Sequence, residues 1–207
     1  MNESEKLTKS IVMLFDALSD PQKIVRVNKG GFISFNTLPE PECFLIHQGY
    51  LLLRRPEDQL IIGNLTGPTV FGFNTYQDLS GQAFLEAITD VDFEIIPASC
   101  FYTRIACLNL WEPLLDITMF IAAEQFRKHS ALGVRDSWSI ICNQLNALID
   151  EPDFVRASTS TYDYIHQRTH LSRSGIMKYL AILRKQKLIE MDNGILRSTN
   201  RLPKTLP

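Results

Sequence analysis

Ser172, Arg173, Ser174 and Lys178 have the types and the spacing to read the edges of nucleic-acid bases. A serine hydroxyl at 172 can accept from the free amides of a first helical turn, so a helix is expected to start there. An arginine just after such a cap can give guanine two parallel hydrogen bonds, to O6 and N7. Lys178 falls about one turn further along the same face, and Ser174 lies beside Arg173. The expected base contacts are therefore Arg173, Ser174 and Lys178. Arg168, His170, Ser172, Lys185 and Arg197 flank them and are expected on the phosphate backbone, which orients a reader without carrying sequence information. No catalytic, cofactor-binding or metal-ligating set is expected beside them.

These side chains need a frame, and the stretch Thr159–Arg201 supplies one. A short helix is expected from Thr161 to about Arg168, with hydroxyl side chains at its start and a break near His170. In the second helix Ile176, Leu180 and Leu183 recur at spacings of four and three and face inward. Arg173, Ser174, Met177, Lys178, Ala181 and Lys185 fall on the opposite side. After Lys187 the period becomes extended: Leu188-Ile189-Glu190-Met191 alternates, Asp192-Asn193-Gly194 offers a hairpin turn, and Ile195-Leu196-Arg197 returns. Two helices at a tight turn followed by a small hairpin make a winged helix-turn-helix. From Thr159 onward there are nine Lys and Arg against three Asp and Glu. Of the 21 basic and 23 acidic residues in the chain, that leaves 12 and 20 before Thr159. The net charge of −2 thus hides a basic tail behind an acidic body, and polyanion binding is expected of the tail alone.

The block Leu171-Ser172-Arg173-Ser174, with Ile176, Lys178, Leu180, Leu183, Gln186, Leu188 and Ile189, resembles the recognition helix of the cyclic-AMP receptor/fumarate-nitrate regulator (CRP/FNR) superfamily. A closer likeness is to the enterobacterial IprA-like regulators. It rests on Tyr164-Ile165-His166-Gln167-Arg168-Thr169, Ser172-Arg173-Ser174, Ile189-Glu190-Met191 and Asn200-Arg201-Leu202-Pro203. The likeness covers the last fifth of the chain specifically and is looser before it. It implies a DNA-binding regulator whose operator differs from the cyclic-AMP receptor's, because Ser174 stands where that receptor has a glutamate.

With 207 residues, 45% of them hydrophobic and 21% charged, the chain can hold two modest soluble domains. No apolar run approaches the roughly 20 residues of a membrane span, and the N-terminal residues lack a secretory signal layout, so a cytoplasmic location is expected. Cys43, Cys100, Cys107 and Cys142 show no paired spacing and are expected to be buried thiols. The iron–sulfur ligand set of the oxygen-sensing relatives is not visible. His166 and His170 have a zinc-compatible spacing but no third ligand in register, so DNA backbone contact is the expected role.

Residues Glu5–Ser19 suggest an amphipathic opening helix with Leu7, Ile11, Leu14, Phe15 and Leu18 on one side. From Lys23 to about Pro97, short apolar segments alternate with turn signals, as in a small antiparallel barrel or jelly roll. Gly49 and Phe71-Gly72 match recurrent turn positions of the superfamily's effector domain. In cyclic-nucleotide-binding relatives that domain carries an arginine for the phosphate. The corresponding stretch here, Phe73–Val91, has no lysine or arginine and includes Asp78, Glu86 and Asp90. Cyclic nucleotide binding is therefore not expected.

A short helix is expected over Ser99–Asn109. A longer one, with Pro113 in its first turn, should reach Leu132. Leu114, Leu115, Ile117, Met119, Phe120 and Ile121 leave it almost without a polar face, which invites a symmetric copy. Leu132-Gly133-Val134-Arg135 reads as a hinge. Asp136 then caps a helix with Trp138, Ile141, Leu145 and Leu148 inside, ended by Glu151-Pro152-Asp153.

The expected fold class is α+β. A jelly-roll effector-like domain (1–110) resembles a cyclic-nucleotide-binding domain; a dimerisation helix (111–132) and a winged helix-turn-helix (133–207) follow. The expected function is a DNA-binding transcription regulator of the CRP/FNR-like type, without enzymatic activity or cofactor. Its expected partners are double-stranded DNA, a second copy of the chain and RNA polymerase, with no membrane. The alternatives are a protein-interaction module that does not bind DNA and a small-molecule-binding barrel. A cationic outward face from Arg173 to Lys185 favours DNA over the first; an occupied polar pocket between residues 44 and 96 would favour the second.

Overall fold

A computed structural model describes residues 3–35, 38, 40–73, 81–132, 136–200 and 202–203. The chain divides into two compact units, Met1–Glu124 and Gln125–Pro207. The expected hinge at residues 133–135, Arg201 of the tail signature, and residues 74–80 of the arginine-free stretch lie outside the described residues.

The first unit begins with helix α1 (Glu3–Leu18) and a 3-10 turn at Pro21–Lys23. Eight strands follow: β1 (Val25–Val27), β2 (Phe32–Ser34), β3 (Glu42–Gln48), β4 (Tyr50–Arg54), β5 (Ile61–Thr66), β6 (Thr69–Phe71), β7 (Phe84–Ala87) and β8 (Val91–Pro97). They form two antiparallel four-stranded sheets, ordered β1-β8-β3-β6 and β2-β7-β4-β5, the jelly-roll arrangement. Strand β3 explains why an unbroken apolar run can still be a strand: it is buried on both faces. Phe44 and Ile46 point between the sheets, with Leu51, Leu85 and Phe93. Cys43 and Leu45 point outward, under α1 and the helices α2 (Ala98–Cys107) and α3 (Trp111–Leu132). Between the sheets the rings of Phe35, Phe44, Phe71 and Phe93 fill much of the space, with Phe35–Phe44 and Phe44–Phe93 centroids 5.5 and 6.3 Å apart. At two of the expected turn positions, Gly49 and Gly72 sit at φ +106° and +88°. A Cβ at Gly72 would lie 2.3 Å from the Glu42 carbonyl oxygen, so only glycine fits.

Helix α1 is tied to the barrel at one buried carboxylate. Glu94, 1% exposed, accepts from the Ser19 hydroxyl at 2.5 Å and the Asp20 amide at 2.8 Å, and lies 2.6 Å from His47 Nε2. Along its length α1 also meets α3 through Lys6 and Ser10, both bonded to Asp116. Helix α3 buries Leu114 and Ile117 but leaves Trp111, Leu115, Met119, Ala122 and Phe126 exposed. Spacings of four, four, three and four put these five on one stripe.

The thiols divide into two kinds, which corrects the expectation of four buried cysteines. Cys43 and Cys142 are buried, while Cys100 and Cys107 lie on the exposed face of α2. A seven-residue spacing repeats the same helical face, and that face happens to look outward. Burial pushes the Cys43 thiol up to about 12 and, with the Asp136 charge adding to burial, Cys142 up to about 11. At pH 8 both therefore remain in the unreactive thiol form. Iodoacetamide is expected to label Cys100 and Cys107 in the folded protein and all four thiols in urea, read by intact mass. Rapid native labelling of Cys43 would contradict this.

The second unit carries the end of α3, then α4 (Ser137–Asp150), α5 (Asp153–Ser158), α6 (Thr161–His166), α7 (Arg173–Lys185), β9 (Ile189–Asp192) and β10 (Ile195–Thr199). The six-residue helix α5 was not anticipated, since it is too short to show a period. Asp136 caps α4 by accepting from the Ser139 amide at 3.0 Å, which also lowers its carboxyl pKa. Trp138, Ile141, Leu145 and Leu148 of α4 close over Ile165, Ile176, Leu180 and Leu183 in a single core. The indole of Trp138 donates to the Pro203 carbonyl at 3.1 Å. The turn of the β9–β10 hairpin is held to the start of α6, because the Thr161 amide and hydroxyl both donate to the Gly194 carbonyl, at 2.8 and 2.9 Å. Asn193 and Gly194 take φ +49° and +83°, as a two-residue hairpin turn of this type requires.

Candidate nucleic-acid interface

The site is built on two capped helices. Ser160 accepts from the Asp163 amide at 3.0 Å and starts α6; Ser172 accepts from the Gly175 amide at 3.2 Å and starts α7. The far end of α7 closes with Lys187 at φ +57°, its amide on the Arg184 carbonyl and the Leu188 amide on the Leu183 carbonyl. Those two bonds satisfy the last carbonyls of the helix and turn the chain sharply into β9. Helix α7 is thus fixed at both ends. Its Ile176, Leu180 and Leu183 are buried, while Arg173, Ser174, Met177, Lys178, Ala181 and Lys185 are exposed.

The expected base readers Arg173, Ser174 and Lys178 are each exposed, and each has a different neighbour. Ser174 Oγ lies 3.2 Å from Ser172 Oγ, and Lys178 Nζ lies 5.6 Å from the centroid of the Tyr179 ring. The Arg173 guanidinium lies 5.2 Å from the centroid of Tyr162, which puts it on the flank of α7 nearest α6. Among the expected backbone contacts, Ser172, His170 and Lys185 are exposed beside this face. Arg197, on β10, donates to Asp192 across the hairpin at 2.8 Å, with both side chains more than half exposed.

Arg168 is placed differently. Its guanidinium carbon sits 3.6 Å from the Tyr164 ring centroid and its Nη2 lies 3.8 Å from Glu151, with only 12% of the side chain exposed. Tyr164 donates its hydroxyl to the same carboxylate at 2.8 Å. This arginine closes the end of α4 against α6 and is not gathered with the readers.

Sequence reasoning passed over a groove beside the readers. It has a volume of about 430 Å³ and is bounded by Tyr162 and Asp163 of α6, Arg173, Met177 and Arg184 of α7, and Met191 of β9. Tyr162 and His166, four apart on α6, stack with centroids 5.3 Å apart and planes at 26°. An aromatic and a histidine at that spacing were the available signal, since such residues share a helix face. Among the described residues no group of three or more His, Cys, Asp and Glu side chains is placed to hold a metal ion, and no helix is long and apolar enough to cross a membrane.

A family model described as winged helix-turn-helix DNA binding matches residues 137–204. The chain is 30% identical to the inhibitor of hydrogen peroxide resistance of Escherichia coli K12, over 78% of each chain. It is 32% identical to the protein of that name from Salmonella typhimurium, over 77% of each. Among solved structures it is similar to the c-di-GMP-responsive global regulator CLP of Xanthomonas campestris, with TM-score 0.68 and 15% identity over 93% of this chain and 99% of that one. A CRP/FNR-family transcriptional regulator from Thermus thermophilus gives 0.61 and 18% identity over 84% and 91%.

Proposed function

The chain belongs to the family of the inhibitor of hydrogen peroxide resistance and is a DNA-binding transcription regulator with the CRP/FNR architecture, and from that premise we propose that it reads operator DNA as a homodimer, with α7 as the reader. One observation carries the assignment of α7. A helix fixed by Ser172 at its start buries one stripe and turns Arg173, Ser174, Lys178 and Lys185 to solvent. That surface is cationic, as base edges and phosphates require, with Met177 as its single exposed large apolar side chain. A protein-interaction role for the same face is not favoured.

The second copy is inferred from α3, whose exposed apolar stripe needs cover. A two-fold pair would place two α7 helices on half-sites about one turn of DNA apart. We read the barrel as working without cyclic nucleotide. The stretch Phe73–Val91 offers no cation for a phosphate, and aromatic rings pack against one another between the sheets. The protein acts in this reading as a cytoplasmic, non-enzymatic switch.

The experiment starts from a duplex selected from a randomised pool by the intact chain. Arg173→Ala is expected to cost about 1–3 kcal/mol on the selected duplex and to relax one base position. Lys185→Ala is expected to weaken the selected and a shuffled duplex alike and to flatten the salt dependence, as loss of one phosphate contact does. Equal losses on both duplexes for Arg173→Ala would remove α7's first turn as the reader.

A further inference from the structure

The reader arginine does not stand alone on its helix. Tyr162 is half-buried and packs against the core of the second unit. Over that ring lies the Arg173 guanidinium carbon, 5.2 Å from its centroid, inside the range in which a cation is attracted by an aromatic quadrupole. His166 stacks on Tyr162 one helical turn along, which fixes the ring's orientation on α6. The Ser160 cap and the two hydrogen bonds that Thr161 donates to the Gly194 carbonyl hold that end of α6 in place.

We propose that Tyr162, steadied by His166, is a positioning residue for Arg173 and thereby a determinant of sequence discrimination. A free arginine loses the freedom of several rotatable bonds when it docks on a base. An arginine already laid on a ring has given up part of that freedom before DNA arrives, and preorganisation of this kind raises affinity without adding a contact to the partner. The gain falls only where Arg173 meets its base, so it separates one sequence from another. Phosphate contacts made by Lys185 are untouched. Tyr162 and Arg173 both line the groove that Met177 and Arg184 also bound. This inference rests on Arg173 being a base reader.

The test uses the full-length protein, the duplex it selects from a randomised pool, and a shuffled duplex of the same composition. Tyr162→Leu removes the ring and keeps an apolar side chain against the core; Tyr162→Phe keeps the ring. Tyr162→Leu is expected to weaken the selected duplex about two- to fivefold, the range of an exposed cation–π contact, and to leave the shuffled duplex unchanged. Tyr162→Phe is expected to match the native protein on both, and Tyr162→Leu is expected to add nothing once Arg173→Ala is present. Equal losses on both duplexes, or a Phe variant as weak as the Leu variant, would overturn the proposal. If Arg173→Ala leaves discrimination unchanged, the reader assignment falls; if it lowers discrimination and Tyr162→Leu does not, the positioning role alone falls.

Discussion

Leu115→Asp combined with Met119→Asp is expected to turn a dimer into a monomer in sedimentation at micromolar concentration, and to take operator binding with it. The two side chains are 58% and 63% exposed in the single chain, so their replacement leaves the core of the first unit intact. In a symmetric pair each substitution occurs twice, and full burial of a leucine or methionine stabilises by about 1.5–3 kcal/mol. Since about six-tenths of each side chain is still open to burial, four such losses come to about 4–7 kcal/mol, which weakens self-association by roughly three to five decades. Introduced carboxylates facing each other across the axis add repulsion. Ile121→Asp would be a poorer probe, because Ile121 packs against the protomer's own core and its loss would confuse unfolding with dissociation. A double variant that sediments as the native protein does would place the subunit contact elsewhere.

Trp138→Ala is expected to have the largest effect on stability of any single change in the second unit. Its side chain is 2% exposed, stacks edge-on against Tyr179 at 5.8 Å, and bonds the Pro203 carbonyl. Truncating a buried tryptophan costs about 3–5 kcal/mol, a large share of the 5–15 kcal/mol that holds an ordinary domain together. Thermal melts followed by circular dichroism should show the helical transition of the winged-helix unit moving down sharply, with specific DNA binding lost over the same temperature range. Trp138→Phe keeps the apolar volume and should fall between. A melt unchanged within about 1 kcal/mol would mean that the core is not organised around α4.

Much of the interface was legible because its signals are local. Ser172 before a run with Ile176, Leu180 and Leu183 states a capped amphipathic helix within twelve residues, and Asn193-Gly194 states the hairpin turn within two. The outward side of α7 follows from that period without any tertiary information. Arg168 did not announce its inward turn, since Tyr164 and Glu151 reach it from two different helices and only packing brings them together. Which side of α3 stays open was hidden for the opposite reason: nearly every position in its first half is apolar, so the pattern carries no contrast. The platform at Tyr162 was invisible because residues on either side of the tight turn, eleven apart, meet only once α6 and α7 are set. The barrel was recognisable from its strand spacing, yet the double-sided burial of β3 emerged only when the helices were seen over its outer face.

The bond from Trp138 to Pro203 joins residues 65 apart, and Thr161 likewise waits for Gly194. Translation imposes an order on these contacts. At about 5–20 residues per second, the ribosome needs roughly 3–13 s to travel from the indole to the carbonyl that receives it. During that interval the first unit, whose strands are all complete by Pro97, can already have condensed, while the reader helix exists without the hairpin that pins its neighbour. Until the last residues emerge, the Trp138 indole and the start of α6 thus lack the carbonyls that hold them in the finished unit.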